Sequence, residues 1–458
     1  MVLDNFSMEA TRRPGPTDSP LGVPTTVRAR RRVAPRPPEG TMTPTTQPVR
    51  PRRFVGWRIV VLATITAAMT GPGQTIGVSV FVDPLIEDLS LTRSQVSTAY
   101  LIGTLLGALA LPSVGHWVDR LGARRAMTFI GLGFGAGLTA MSGVGGFVTL
   151  AIGFTLIRWL GQGSLSLVST VAVTHWFERR RGVVFGVMMT AVSALMALTP
   201  VLLNLAIEAY SWRTAWLLAA AAVWLVVVPI GYFGIVDRPA HVGQHVDGDP
   251  VPPLADDSMA VRSHSRREAV GESRFWLLSL TVATTAMLVT ALNFHQISIL
   301  GEAGLTATEA ATMFLPQVIG AILAGLAVGA LSDRIAVRFL LAASMGLLAA
   351  ALVLIQIVEP GWQVVLYAVT LGAAAGAQRP LAATVFPRWF GLANIGAIQG
   401  VSTFIGVGSS AIGPVAFSVA RSGIGEYRTT ALLFAVVPLL IGIASLTVTE
   451  PDRADSAR

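Results

Sequence analysis

The sequence predicts an all-α membrane protein: twelve transmembrane helices in two pseudo-symmetric six-helix bundles. Three observations carry this. The 458-residue chain is 53% apolar and 13% charged, with a mean hydropathy of +0.64, whereas soluble domains carry about 25% charged residues. Windows of roughly 20 mostly apolar residues, the length that crosses a bilayer, recur with short polar breaks. The second half of the chain also repeats landmarks of the first at a constant spacing, so that Gly115 answers to Gly329 and Pro200 to Pro414.

Taken in order, residues 1–53 are rich in Pro, Arg and Thr and read as a disordered cytoplasmic tail. The tail lacks the apolar run of a signal peptide, and Met42 offers an alternative start. An N-terminal bundle at 54–236 holds spans 57–81, 95–114, 126–146, 148–174, 183–207 and 213–236. A polar stretch at 237–274, with Asp, Arg, His and Pro, reads as a cytoplasmic linker. The C-terminal bundle at 275–449 holds spans 275–299, 309–331, 338–358, 362–386, 394–420 and 428–448, and a tail at 450–458 follows.

The repeat is read residue by residue. Leu91-Thr92 recurs as Leu305-Thr306; Gly115, Asp119, Arg120 and Arg124 recur as Gly329, Asp333, Arg334 and Arg338; Gly182 and Gly186 recur as Gly396 and Gly400. One offset maintained over a hundred residues points to a duplicated six-span unit, a known transporter design with its substrate near the midplane. Arginine placement orients it. With both termini cytoplasmic, 27 of the 33 basic residues fall on that side and four (Arg93, Arg213, Arg421, Arg428) on the other, as the positive-inside rule requires. The basic balance is thereby accounted for without nucleic acid. Every basic residue is arginine and there is no cysteine, which excludes disulfides, thiolate metal sites, cysteine nucleophiles and lysine Schiff-base or P-loop chemistry. No metal-ligand spacing, cofactor motif or Ser/His/Asp arrangement occurs in the spans. The alternating glycines Gly131 to Gly137 follow no strand and read as close packing. No enzyme and no cofactor is expected.

The segment Gly115-His-Trp-Val-Asp-Arg-Leu-Gly-Ala-Arg-Arg125 resembles the signature between spans 2 and 3 of the major facilitator superfamily. Gly115 and Gly122 belong to that pattern. Asp119 suits ion pairing or capping, and Arg120, Arg124 and Arg125 suit bridges to neighbouring helix ends, a gate-like set. A weaker copy runs from Gly329 through Asp333 and Arg334 to Arg338. The runs Gly77 to Gln95, His175 to Gly186 and Phe386 to Gly400 are similar to the monocarboxylate-porter and oxalate/formate-antiporter branch, and the resemblance covers most of residues 57–449.

Two arginines lie inside spans. Arg158 falls roughly 16 Å into span 4, near the midplane, and Arg379 falls in the later half of span 10. Arginine at a helix centre costs roughly 2.5–3.5 kcal/mol, so each should face the bundle or a wet cavity. No acidic residue occupies the middle of a span, and an unpaired guanidinium favours a carboxylate ligand held bidentately. Arg158 with Gln162 and Gly163 also resembles a span-4 motif widespread in the superfamily, which leaves a structural or coupling role open beside substrate contact. Gln74 after the Gly71-Pro72-Gly73 break, Asn293, His295 and Gln296 late in span 7 where a corresponding break is expected, Gln317 after Pro316, and Gln378 complete the expected lining. His295 is the expected proton-coupling group, with an interfacial structural role as the alternative.

The resemblance fails at the charges. Oxalate/formate-type members use basic residues in spans 8 and 11, and monocarboxylate porters a lysine in span 1 and an acid–arginine pair in span 8; all are missing here. The expected function is secondary active transport, by symport or antiport, of a small organic anion, a mono- or dicarboxylate, by alternating access in a functional monomer. The alternatives are proton-coupled efflux of drug-like solutes and a transport-dead sensor, disfavoured by the lack of an intramembrane acid and by the short central loop. High arginine without lysine fits a GC-rich bacterial genome and hence an inner-membrane location.

Overall fold

The computed structural model describes residues 54–248 and 264–448 apart from 333, 392 and 393, and only the backbone at 112, 113, 115, 116, 119, 181, 396 and 397. The expected terminal tails, Met42, Asp333, the Asp119 side chain and any side-chain contact at Gly115 therefore lie outside the described residues. The described chain is helical nearly throughout, with eight helices long and apolar enough to cross a membrane. Spans 2, 3, 4 and 10 complete the twelve.

Span 1 runs through Gly56–Ala68, a 3₁₀ turn at Gly71–Gly73 and Thr75–Ser79, so the expected break is present. Span 2 starts with Arg93–Leu109 and continues from Leu111 to a kink at Gly122, within the expected connection, after which the chain enters span 3 and runs to Ser142. Gly122 makes that kink at φ +79, ψ 160, a region open essentially to glycine alone. A Cβ there would also sit 2.8 Å from the Asp237 carboxylate. Span 4 contains a π-helical segment, Arg158–Leu165, between Phe147–Ile157 and Ser166–Thr174. Span 5 is Arg181–Ala209 and span 6 is Trp212–Pro229, continued by Ile230–Gly234. Span 7, Ser273–Glu302, is an unbroken helix, so the break expected near Asn293 does not form. Its backbone ladder needs no glycine or proline interruption, whereas span 1 carries Gly71-Pro72-Gly73. Spans 8 to 12 are Ala307–Thr312 with Phe314–Leu331, Val337–Leu354, Trp362–Phe390, Ile395–Ile424 and Tyr427–Leu446.

The repeat reaches the level of helix caps. Thr92 and Gln95 form a capping box at span 2, and Thr306 and Glu309 form its counterpart at span 8, each satisfying N–H groups that the first turn leaves without partners. The halves meet through spans 2 and 11, spans 5 and 8, and the second part of span 1 against span 7. Their polar joints cluster at the end opposite residue 54, the far end. Arg93 donates to Asp83 at 2.5 Å and to Ser298 Oγ at 2.6 Å, and Ser298 donates to Asp83 at 3.0 Å. Thr308 Oγ1 donates to Glu208 and accepts from Asn204, both at 2.7 Å. Toward the end that carries residue 54, the tail end, a Cβ on Gly182 or Gly186 of span 5 would meet nothing within 4 Å. Both lie on the face of span 5 that carries Met189, which touches Arg379 of the other half. The polar joints between the halves thus lie at the far end, and at the tail end these two positions of span 5 are open.

The first part of the linker is ordered against the N-terminal half. Asp237 accepts the Arg124 N–H at 2.8 Å, and Gln244 Oε1 accepts the Val55 N–H at 2.9 Å. Asp247 accepts N–H groups of Glu178 at 3.1 Å, Arg179 at 2.8 Å and Arg180 at 3.4 Å. Trp176 donates its indole N–H to Val236 O, and Asp247 N–H donates to Trp176 O, both at 3.0 Å. One short segment therefore caps the entries of spans 1, 3 and 5, where the positive helix ends gather. Burial alone would raise the Asp247 carboxyl, but the three backbone donors and the Arg179 charge outweigh it and hold the pKa below its ordinary value. The folded-state pKa is depressed, so this contribution is complete above the unfolded value of about 3.9 and is lost as pH falls through the folded one. Asp247→Asn is expected to lower the stability of the purified protein by about 1–2 kcal/mol at neutral pH. The difference from wild type should narrow in thermal melts taken as the pH drops below about 4.

Candidate functional site

The break in span 1 and the π segment in span 4 meet around Arg158. The residue is 4% exposed. Nε donates to Thr104 Oγ1 at 3.1 Å, Nη1 donates to the Gly73 carbonyl at 3.3 Å, and the guanidinium stands over the Tyr100 ring, 4.7 Å from its centroid. The Tyr100 hydroxyl in turn bonds Thr75 Oγ1 at 2.6 Å, on the other side of the break. As expected from the lack of acids within the spans, no carboxylate pairs with Arg158 among the described residues; a hydroxyl, a carbonyl and an aromatic face meet its Nε and Nη1 donors and spread its charge. The cluster ties spans 1, 2 and 4 together.

Arg379 is placed differently. It is exposed, one residue before Pro380 inside span 10, and Nη1 reaches across the interface to Met189 Sδ at 3.9 Å. Thioether sulfur is a weak acceptor, and among the described residues no carboxylate pairs with this guanidinium. Span 10 is held against span 8 by glycine. A Cβ at Gly372 or Gly376 would run into the backbone of Gln317 or Ala321, and this close approach fixes the turn that presents Arg379.

The expected polar lining divides into satisfied and unsatisfied groups. Gln317 donates to Gln296 Oε1, and Gln296 donates to the Ala310 carbonyl at 3.2 Å. That pair is buried and joins span 7 to span 8. Gln74 donates to Thr70 Oγ1 at 3.2 Å beside the span-1 break. His295 is fully buried within the C-terminal half, with Nε2 3.0 Å from the Pro414 carbonyl and the ring stacked on Phe417. It does not share the Arg379 setting. By contrast, the side-chain oxygens of Gln162 in span 4, Asn293 in span 7 and Gln378 in span 10 are enclosed without a hydrogen-bond partner.

Of the expected gate residues, Arg124 donates Nε to the Tyr232 carbonyl at 2.8 Å and covers the Tyr232 ring. Gly122 makes the kink, Arg338 lies over Phe339, and Arg120, Arg125 and Arg334 are exposed. The acid that meets this motif in the described structure is Asp237, which the sequence reading passed over. The far-end latch was missed as well, although a signal existed. Arginines are scarce at the far end, and three of the four there are ion-paired: Arg93 with Asp83, Arg213 with Asp88 at 2.6 Å and Arg421 with Glu302 at 2.6 Å. A cavity of about 480 Å³ lies between the Arg93 and Arg421 pairs.

The profile of the Major Facilitator Superfamily matches residues 60–316 and 278–458, almost the whole described chain. The chain belongs to this superfamily. Members of this superfamily are transporters rather than enzymes. Its fold is similar to that of a bacterial homologue of the human lysosomal transporter Spinster, solved in inward-facing unoccupied and occupied conformations. The TM-scores are 0.65 and 0.64 at 15% and 16% identity, covering 86% of this chain and 96% of those chains. Among characterised proteins, it is 27% identical over 130 residues to the oxalate:formate antiporter of Oxalobacter formigenes. It is 25% identical over 153 residues to a probable sulfoacetate transporter of Cupriavidus necator. These stretches cover 28% and 32% of this chain and 31% and 34% of those proteins, so the chain spans about a third of the length of the curated relatives it matches.

Because the guanidinium fork of Arg158 is used in two directions, its charge alone should not hold the cluster. Arg158→Lys and Arg158→Gln are both expected to lower the thermal stability of the purified protein, by about 1–3 kcal/mol. Full recovery in the lysine variant would show that charge suffices.

Proposed function

We infer that the protein carries a small organic anion, a mono- or dicarboxylate or a related oxyanion, by alternating access, with Arg379 as its principal charge contact. The observation that carries this is an exposed guanidinium inside a span, reaching across the interface of the halves and lacking a carboxylate partner among the described residues. Such a cation favours an anionic ligand held by two N–H groups. The unsatisfied carboxamides of Gln162, Asn293 and Gln378 supply further polar groups on spans 4, 7 and 10. The names of the relatives, an oxalate:formate antiporter and a probable sulfoacetate transporter, agree with an anionic cargo.

The arginine bias sets the tail end in the cytoplasm, with both termini there, of what the composition reads as a bacterial inner membrane. In that orientation the open glycine positions of span 5 face inward and the latched end faces outward. Arg158 then acts as a positioning residue that keeps the span-1 break in register, and His295 stays a candidate for proton coupling through Tyr427, which lines the cavity beside Arg93. Efflux of a hydrophobic cation fits poorly with an uncompensated arginine in the interface.

Uptake of labelled carboxylates and sulfonates into proteoliposomes tests the reading, with and without a pH gradient. Arg379→Gln should reduce transport of the accepted anion at least about tenfold, the loss of one charge-assisted contact, with thermal stability unchanged. If a hydrophobic cation moves and no anion does, the reading is wrong. The latch gives a second expectation. Arg93→Ala should open the far end more often, by roughly tenfold to a hundredfold for contacts of about 1.5–3 kcal/mol. Faster labelling of an Asn293→Cys reporter by an impermeant maleimide added from that side would show it, in a chain with no other cysteine.

A further inference from the structure

We propose that the ordered start of the linker builds a second binding site, for a phosphate group, at the tail end of the N-terminal half and away from the Arg379 interface. Between this segment and the end of span 4 lies a cavity of about 270 Å³. Arg238, His175 and His245 stand around it, and Pro239, Ala240 and Val246 supply apolar wall.

No carboxylate lines the cavity. The two nearest acids in sequence are already committed, Asp237 to the Arg124 N–H and Asp247 to three N–H groups at the entry of span 5. Among the described residues Arg238, His175 and His245 form no ion pair. Among the described residues, the lining of this cavity therefore carries basic groups and no carboxylate. A guanidinium offers two parallel N–H groups to phosphate oxygens, and an imidazole keeps at least one N–H donor in either protonation state. The apolar wall suits the carbon side of a phosphate ester, so the ligand chemistry is a phosphate mono- or diester. Two sources present it at this position: the headgroup of an anionic lipid and a soluble phosphate compound.

Occupancy has a structural consequence. The segment that carries Arg238 and His245 also holds Asp237, Gln244 and Asp247, the caps of spans 3, 1 and 5. A bound phosphate would fasten that segment to the end of span 4 at His175 and stiffen the half as a unit.

The test uses the full chain in nanodiscs at fixed pH and ionic strength, with thermal melting as the readout. Wild type, Arg238→Gln and His245→Gln are compared in phosphatidylcholine, in phosphatidylcholine with inorganic phosphate replacing chloride, and in phosphatidylglycerol. Wild type should melt several degrees higher with phosphate or with phosphatidylglycerol. Arg238→Gln should lose at least about tenfold in the phosphate concentration needed, the scale of one charge-assisted bidentate contact. Stabilisation by phosphatidylglycerol alone, dependent on Arg238, identifies a lipid headgroup; stabilisation by inorganic phosphate identifies a soluble source. Equal responses of wild type and both variants to both reagents would overturn the site.

Discussion

A charged guanidinium inside a bundle is tolerable only when its donors are met, and Arg158 meets them with groups that the rest of the N-terminal half must hold in place. The Gly73 carbonyl is available because span 1 breaks there. Thr104 and the Tyr100 ring come from span 2, and the π segment that begins at Arg158 sets the turn from which the side chain leaves span 4. Three spans are thereby fixed relative to one another by a single residue. The large desolvation cost of an unpaired cation becomes a constraint on geometry, because any shift of span 1 against span 4 strands a donor. The break in span 1, which might look like a weak point, is the place where this half is most closely determined.

The two halves share a repeat and divide the chemistry unequally. The capping boxes at Thr92 and Thr306 are equivalent in position, as are the glycines of spans 5 and 11. The arginines are not. The position answering to Arg158 in the second half is Gly372, which packs backbone to backbone against span 8, and the position answering to Arg379 in the first half is Leu165. One half keeps its interior arginine for its own architecture, and the other leaves its arginine facing the interface. Duplication supplied the scaffold, and single positions distinguish an arginine bonded within its own half from one exposed beside the other half.

Much of the fold was legible because lipid imposes strong rules on composition and length. Span count, the break at Gly71 to Gly73 and the paired halves all follow from patterns that hydrocarbon enforces. What could not be read was set by tertiary distance. Whether Arg158 was free or satisfied depended on Thr104 and Tyr100, more than fifty positions away. The Gln296–Gln317 pair, the enclosure of His295 by Phe417 and Tyr427, and the straight course of span 7 depended likewise on neighbours that periodicity does not name. The linker was read as a polar spacer because loops between bundles are usually so; its acids at 237 and 247 acquire meaning only once the entries of spans 3 and 5 lie beside them. The Arg93 latch was within reach, since a cation kept on the side that disfavours cations invites a search for its partner.

The chemical nature of that latch bears on how the molecule changes state. Its joints are hydroxyls, carboxylates, a carboxamide and a guanidinium at the rim of the bundle, groups that exchange a protein partner for water with little net loss. An apolar seam of the same extent would expose greasy surface as it parted, and its energy would climb with every ångström of separation. A polar rim is undone one bond at a time with solvent following behind. The rim is only the outer layer of this contact, because Tyr100 of span 2 and Phe294 of span 7 keep their rings 4.7 Å apart beneath it.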